Sequence, residues 1–187
     1  QDGRALNNEI LLVDSFLNHQ VDATFMRAVG EEFARLFKQD GVTRGITIES
    51  SGIAPALMTA LSLNVPLTIM KKNMSSILNE DLLKTEVFSF TKGAPYQLTM
   101  KRSYLAEGDR VLFIDDFLAN GEAAFGAARL IKLAGAQIAG IGAVICKAFQ
   151  PGLQKLRSAG YRVEALAMIT RMEEGCVAFE EQAAGES

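Results

Sequence analysis

The sequence predicts an α/β protein with an open, mostly parallel sheet and helices on both faces. Two observations predict it: strand and helix patterns alternate from residue 45 onward, and the strongest strands are continuous apolar runs, as in parallel strands covered on both sides. At 187 residues, with 49% apolar and 22% charged side chains, the chain can bury a substantial core. We expect one domain over residues 1–187.

The first half of the chain is predicted to hold a small N-terminal hood and one β-α-β unit. Residues 1–20 mix apolar and hydrogen-bonding side chains without a period, which favours a short appended segment. Asp22 can cap a helix that carries apolar residues at helical spacing and ends at Asp40-Gly41. The elements that follow are a strand at 45–48, a helix from about 54 to 63 and a strand at 66–70.

The second half resumes the alternation after a polar insertion. Residues 71–100 contain two short strand-like pieces, 87–90 and 96–100, separated by Gly93-Ala94-Pro95, and we expect them to form a flexible flap. The elements beyond it are strands at 111–114, 141–147, 163–169 and 176–179, and helices at 122–134 and 153–159.

Composition excludes several classes of function. The net charge is −3 and the lysines and arginines are scattered, so no basic face for nucleic acid is predicted. Two distant cysteines and a single histidine, His19, cannot build a zinc site, which leaves oxygen-ligated magnesium as the metal to consider. No apolar run reaches the roughly 18 residues of a membrane span, and no leader pattern is visible. We expect a cytoplasmic protein with reduced thiols.

The segment Val111–Ala123 carries the main chemical signal. Asp115 and Asp116 end a buried strand, at the edge where α/β sheets bind ligands. A loop of small residues then opens a helix, whose free amides favour a phosphate. Two carboxylates beside a phosphate must bind hydroxyls or magnesium, and ribose 5-phosphate has such hydroxyls. The predicted phosphate donors are the amides of Ala119, Asn120, Gly121, Glu122 and Ala123.

A second anion site is predicted in the segment Glu49–Ala56. Its sequence ESSGIAPA again places a strand end, small residues and a helix start in series, with Ser50, Ser51 and Gly52 as donors. Lys71 directly follows the strand at 66–70 and is the preferred flap cation. Lys72 and Lys92 are as well explained as solvated charges, and the acidic strand end is also compatible with many other doubly wound proteins.

Val111–Ala123 resembles the signature of the type I phosphoribosyltransferases. It departs from that signature at Phe117, which is bulkier than usual, and at Asn120, where Thr or Ser is common. Ala119 stands where hypoxanthine-guanine enzymes have an Asp, so the loop is more similar to the adenine and xanthine branch. The segment Glu49–Ala56 resembles the family's diphosphate loop, which implies a strained or cis peptide between Glu49 and Ser51.

Four stretches, FLNHQ (16–20), ESSGIAPA (49–56), IDDFLANG (114–121) and KAFQPG (147–152), are similar to bacterial xanthine phosphoribosyltransferases. The resemblance implies xanthine and 5-phosphoribosyl 1-diphosphate as substrates, magnesium with the diphosphate, and a homodimer. It places Leu11, Asn18 and Lys147 around the purine and residues 119–123 on the 5-phosphate. Lys147 suits a 6-oxo group, and Asn18 suits a 2-oxo group beside a ring N–H.

Two alternatives to a xanthine enzyme stay open at this point. One is an enzyme for hypoxanthine, guanine or adenine, which differs in the purine-binding residues. The other is a non-catalytic regulator that senses 5-phosphoribosyl 1-diphosphate, although such proteins usually carry a DNA-binding module and none is evident here. Phe149 is expected to fill the core rather than stack on the purine.

Overall fold

The computed structural model describes residues 4–5, 11–13, 17, 19–73, 81–90, 92–173 and 176–180. The helices in this part of the chain are α1 (Ala23–Leu36), α2 (Ile53–Leu63), α3 (Glu122–Leu133) and α4 (Gly152–Ser158). The strands are β1 (Arg4–Ala5), β2 (Leu11–Leu12), β3 (Arg44–Ile48), β4 (Leu67–Lys72), β5 (Leu82–Ser89), β6 (Ala94–Lys101), β7 (Arg110–Leu118), β8 (Gln137–Lys147), β9 (Val163–Glu173) and β10 (Cys176–Phe179).

The main sheet is mixed but mostly parallel, which confirms the predicted fold class. Its eight strands follow the order β10-β9-β8-β7-β3-β4-β6-β5. The central strands from β9 to β4 are parallel, and the antiparallel pairs lie toward the two edges. The chain runs outward from β3 to β4 in one direction and from β7 to β9 in the other, so the order reverses between β3 and β7. α/β sheets bind ligands at the carboxyl ends that meet at such a point.

Helices cover both faces of this sheet. Alternate residues of its strands point to opposite sides, and both sets include apolar side chains that are buried under helices. Leu112 and Ile114 pack in one core with α1 and α2, whereas Phe113 packs in the other with α3 and α4. The predicted cap of α1 is confirmed, since Asp22 accepts a hydrogen bond of 2.9 Å from the amide of Phe25.

β7 is longer than the sequence predicted, and this changes the setting of the two carboxylates. The predicted strand ended at Ile114, but the structure continues it to Leu118. The extension is held by parallel pairing with β8, in the register Asp115 with Ala143 and Phe117 with Ile145. Asp115 and Asp116 therefore lie within a strand, and their backbone is fixed by its neighbour.

The predicted flap contains a long hairpin rather than two short pieces. β5 and β6 pair antiparallel, and β6 also pairs with the end of β4. Arg129 of α3 donates to the Thr85 hydroxyl at 2.9 Å and to the Glu86 carbonyl at 2.7 Å. These bonds tie the hairpin to α3. Residues 74–80 and 91 of the predicted flap lie outside the described residues.

The predicted hood contributes a short antiparallel pair and two core residues to the described structure. β1 pairs with β2, and the side chains of Val13 and Leu17 are buried in the core of α1 and α2. The rest of residues 1–20, apart from the exposed pair 19–20, lies outside the described residues. Within the described ranges, no helix has the length and apolar character needed to cross a membrane.

Candidate active site

Two adjoining cavities lie at the point where the strand order reverses. The main cavity has a volume of about 680 Å³, and residues 113 and 115–124 form about half of its lining. The side cavity has a volume of about 100 Å³ and reaches Ser50 and Ser51. Residues common to both form a shared wall, namely Lys72, Tyr96, Asp115, Asp116 and Ala123.

The structure brings most of the predicted site residues to these cavities. Those lining the main cavity are Leu11, Asp115, Asp116, Ala119, Asn120, Gly121, Glu122, Ala123 and Lys147. Ser50 and Ser51 line the side cavity. Gly52 and Lys71 are both described but line neither cavity. Asn18 lies outside the described residues.

Asp115 and Asp116 form a close carboxylate pair in the shared wall. The amide of Asp116 donates to Asp115 Oδ1 at 3.0 Å. Burial, and then the negative charge of Asp116, raise the pKa of Asp115 well above its ordinary value, and the Lys72 ammonium opposes this shift. Both effects make the ionised pair costly without a ligand. A ligand that supplies hydroxyl donors or a cation would relieve this repulsion.

The loop after β7 is built to hold an anion. Gly121 caps α3 with a φ of +85°, a conformation that favours glycine. The amide of Phe125 donates to the Gly121 carbonyl at 2.9 Å, so the preceding amides of the first helical turn have no acceptor within the helix. These donors and the helix dipole favour a phosphate at this end of the main cavity.

Gly152 supports this loop from behind, a role that the sequence analysis missed. Its amide donates to the Ala119 carbonyl at 2.9 Å. A Cβ added at Gly152 would overlap the Ala119 oxygen and lie 2.6 Å from the Gly121 nitrogen. In return, a Cβ at Gly121 would lie 3.1 Å from the Gly152 Cα. The two glycines therefore let backbone pack directly on backbone.

The second predicted anion loop contains the expected unusual peptide, since the Glu49–Ser50 bond is cis. The Glu49 carboxylate accepts from the Lys72 amide at 2.7 Å and from Lys71 Nζ at 3.0 Å. The hydrogen bond from the Lys72 amide is the main cause that lowers the pKa of Glu49, aided by Lys71. Glu49 thus joins the ends of β3 and β4.

Lys71 and Lys72 consequently have different surroundings. Lys71 pairs with Glu49, whereas the side chain of Lys72 lines both cavities, with its Nζ 5.5 Å from the centre of the Tyr96 ring. Sequence analysis preferred Lys71 because it follows the strand, but the structure places Lys72 at the shared wall. Tyr96 was also missed. Burial, and then the charge of Asp115, raise the pKa of Tyr96, which keeps the phenol protonated.

Another part of the main cavity's lining combines apolar side chains with a lysine. Lys147 ends β8, and its Nζ lies 5.6 Å from the centre of the Phe117 ring. Leu11 lines the same cavity. The amide of Gln150 donates to the Lys147 carbonyl at 2.9 Å and closes a turn. The prediction that Phe149 fills the core is wrong, because this side chain is 42% exposed.

Comparison with solved structures shows the class of the fold. The adenine phosphoribosyltransferase of Rhodothermus marinus superposes with a TM-score of 0.74 at 22% identity, over 90% of this chain and 95% of that chain. The Giardia lamblia enzyme complexed with 9-deazaadenine gives 0.75 at 20% identity, over 89% and 93%. Together with the carboxylate pair and the glycine-capped helix at the reversal of strand order, this is the architecture of the type I phosphoribosyltransferases.

Comparison with sequence relatives shows which family of type I phosphoribosyltransferases the chain is most similar to among those compared. Xanthine phosphoribosyltransferase 1 of Clostridium botulinum is 54% identical over 179 residues, which cover 96% of this chain and 94% of the relative. The xanthine phosphoribosyltransferase of Agathobacter rectalis is 50% identical over 182 residues, with coverage of 97% and 95%. The chain belongs to the xanthine phosphoribosyltransferase family. No protein-family model matches it.

Proposed function

We propose that this protein is an enzyme that transfers the 5-phosphoribosyl group of 5-phospho-α-D-ribose 1-diphosphate to xanthine. The products are xanthosine 5'-monophosphate and diphosphate, a purine-salvage reaction. One observation carries the proposal: a single cavity joins a carboxylate pair, a phosphate-type loop and a lysine at an apolar wall. These match the ribose hydroxyls, the 5-phosphate and an oxopurine, the three parts of a purine nucleotide.

The chemical step forms a bond from a purine ring nitrogen to the anomeric carbon and breaks the bond from that carbon to diphosphate. The electron pair leaves with the diphosphate, and the proton of the ring nitrogen passes to the diphosphate or to water. Positive charge develops on the ribose in between. Asp115 and Asp116 hold the ribose hydroxyls and face this charge, and the 119–123 loop fixes the 5-phosphate. Preorganised charge and positioning of this kind supply much of the rate enhancement in enzymes.

The side cavity is proposed to take the diphosphate. Ser50 and Ser51 line it, and Lys72 supplies a cation at its wall with the main cavity. Gly52 serves differently, because a Cβ there would lie 2.9 Å from Asp115 Oδ1. Its missing side chain leaves room for the carboxylate. Lys71 acts through Glu49, whose carboxylate it shares with the Lys72 amide.

Magnesium is proposed as the cofactor that accompanies the diphosphate. Among the described residues, no group of three or more His, Cys, Asp or Glu side chains could hold a metal ion. Asp115 and Asp116 line both cavities, and magnesium is commonly bound by one or two carboxylates together with substrate phosphates. The donor set therefore fits an ion held jointly with the substrate, where it would neutralise the charge of the departing diphosphate.

The purine is proposed to lie between Leu11, Phe117 and Lys147. Lys147 can only donate a hydrogen bond, which suits the 6-oxo group of xanthine and not the amino group of adenine. Asn18, whose position the structure does not describe, is proposed at the 2-oxo edge. Leu11 and Phe117 supply apolar surface to the ring faces.

We also propose that the enzyme is a cytoplasmic homodimer. Cys146 and Cys176 are both free thiols, which suits a reducing compartment. Helices α1 and α2, which pack on each other, expose the apolar side chains of Phe25, Leu57 and Leu61 at 41%, 50% and 71%. Light scattering of the purified protein should give twice the mass of one chain, and a monomeric mass at assay concentration contradicts the dimer.

A direct assay tests the reaction. The protein is incubated with magnesium, labelled 5-phosphoribosyl 1-diphosphate and, in turn, xanthine, hypoxanthine, guanine or adenine, and nucleotide formation is followed by chromatography. Xanthine should give the highest kcat/KM. Equal or better use of another base would assign the enzyme to that base, and no nucleotide from any purine would favour a non-catalytic binding protein.

Replacing Gly152 by Ala should raise the KM for 5-phosphoribosyl 1-diphosphate about tenfold or more. The new methyl group would displace the 119–121 backbone and misalign its phosphate donors, and small misplacements in an active site commonly cost that much. Gly160 lies just after the other end of α4 and has a φ of +85°. Alanine there strains the backbone without meeting the 119–121 loop, so G160A controls for a general loss of stability. If G152A and G160A give the same KM, the proposed support of the loop is wrong.

Replacing Lys72 by Met should weaken diphosphate binding more than the same change at Lys71. The loss is expected at about tenfold for Lys72, because a cation beside a phosphate in a partly enclosed site contributes more than an exposed pair. Inhibition of the forward reaction by added diphosphate gives the affinity of each variant. A larger loss for K71M would restore Lys71 as the residue that faces the diphosphate.

A further inference from the structure

Thr47 is a polar residue inside the most buried part of β3. Its side chain is 0% exposed, and within the described residues its Oγ1 makes no hydrogen bond. Its neighbours Ile46 and Ile48 are apolar core residues. A buried hydroxyl without a partner is unfavourable, because it has lost its bonds to water and gained none. The polar groups nearest to this hydroxyl are therefore its candidate partners.

Asp115 is the charged group beside this hydroxyl. A Cβ built on Gly52 would overlap Thr47 Oγ1 and would lie 2.9 Å from Asp115 Oδ1. Both oxygens therefore lie close to the space that a side chain at Gly52 would fill. Asp115 Oδ1 already accepts from the Asp116 amide at 3.0 Å. A hydrogen bond between Thr47 and Asp115 would require the Asp115 carboxylate to move toward the hydroxyl, for example by rotation of its side chain.

We propose that Thr47 is a positioning residue that donates a hydrogen bond to the Asp115 carboxylate when ribose is bound. The inference rests on the proposed function, because it takes the carboxylate pair as the site of the ribose hydroxyls. In this state Asp115 is held by the Thr47 hydroxyl and by the Asp116 amide. Its free lone pairs then point at the ribose, and the buried hydroxyl has a hydrogen-bond partner.

The competing explanation is that Thr47 only fills space in the core. Valine has nearly the same shape as threonine without the hydroxyl, so it separates the two explanations. If the hydroxyl has no bond in the free protein, Thr47→Val should leave the unfolding temperature unchanged or raise it. If the hydroxyl positions Asp115, the same variant should lose function. Serine keeps the hydroxyl and removes a methyl group, so Thr47→Ser should be slightly less stable but active.

The test compares wild type, T47V and T47S in three measurements. We expect kcat with xanthine to fall about tenfold or more in T47V and to stay within about threefold of wild type in T47S. Calorimetric titration should show ribose 5-phosphate binding weakened about tenfold in T47V, while diphosphate, which lacks ribose hydroxyls, binds all three proteins alike. Thermal unfolding without ligands should leave T47V at least as stable as wild type.

The outcomes separate this inference from the proposed reaction. Wild-type affinity of T47V for ribose 5-phosphate, or a loss of kcat in T47V and T47S that follows their unfolding temperatures, overturns the role of Thr47. Failure of the wild type to use xanthine overturns the proposed reaction, yet the comparison of ribose 5-phosphate affinities still decides whether Thr47 acts on the ribose site.

Discussion

Replacing Asp115 and Asp116 together by asparagine is expected to lower turnover at least about a hundredfold. The two substitutions keep hydrogen-bonding side chains of the same size but remove the negative charge that faces the developing positive charge of the ribose. Losses of that order are common when preorganised electrostatic stabilisation is removed. Steady-state kinetics with xanthine and 5-phosphoribosyl 1-diphosphate measure the effect. Near-normal turnover in the double variant would contradict the proposed role of the pair.

The same double variant should be at least as stable as wild type near neutral pH. Burial and the charge of Asp116 raise the pKa of Asp115 in the folded chain. The folded state then binds a proton more tightly than the unfolded state, so stability falls as the pH rises from about 4 through the raised pKa. Thermal unfolding of ligand-free protein across this range should show the fall in wild type and not in the double variant. A double variant that is unstable at all pH values would point to a structural role instead.

Adenine should be used about four orders of magnitude less efficiently than xanthine, measured as kcat/KM. Sites built around specific hydrogen bonds can reject an analogue that leaves their groups unpaired by roughly that factor. Lys147 and the adenine amino group are both hydrogen-bond donors, so no hydrogen bond could form between them. Lys147→Ala should reduce use of xanthine, hypoxanthine and guanine alike, whereas Asn18→Ala should reduce only the preference for xanthine over hypoxanthine.

A matched control for Lys147 is available elsewhere in the chain. Lys132 also lies over an aromatic ring, 5.1 Å from the centre of Tyr161, but it lines neither cavity. Lys132→Ala should therefore leave kcat/KM for every base unchanged. If wild type accepts adenine as readily as xanthine, or if K147A keeps the wild-type rates and ranking, the proposed purine site is wrong even though the phosphoribosyl site stands.

The frame of the fold could be predicted from the sequence because its signals are local. Apolar runs such as Val111–Ile114 and end signals such as Gly135 and Gly160, both with positive φ, lie within single elements. The carboxylate pair and the loop after it could also be found, because they lie together in one short segment between a strand and the start of a helix. The cis peptide at Glu49 was expected from a resemblance and not from local pattern.

The residues that sequence analysis missed depend on contacts between distant segments. Asp-Asp-Phe-Leu after Ile114 is polar enough to predict a loop, but pairing with β8 makes it strand. Gly152 acquires its role only because α4 begins against the Ala119–Gly121 backbone. Lys71 and Lys72 are adjacent in one strand, so their side chains point to opposite faces, and the pairing of Lys71 with Glu49 shows which of the two faces the cavities. A polar Thr47 within an apolar strand was a visible signal that composition alone could not interpret.

The turn from Lys147 to Gly152 sets a length as well as a contact. One end carries the ammonium proposed for the base, and the other end backs the loop proposed for the 5-phosphate. In every purine nucleotide the ribose fixes the distance between the base and the 5-phosphate, whatever the base. The length of this turn therefore has to match a distance that is the same in all nucleotide products. Substitutions within the turn can change which base is used. Insertion or deletion of a single residue in the turn should abolish activity with every base.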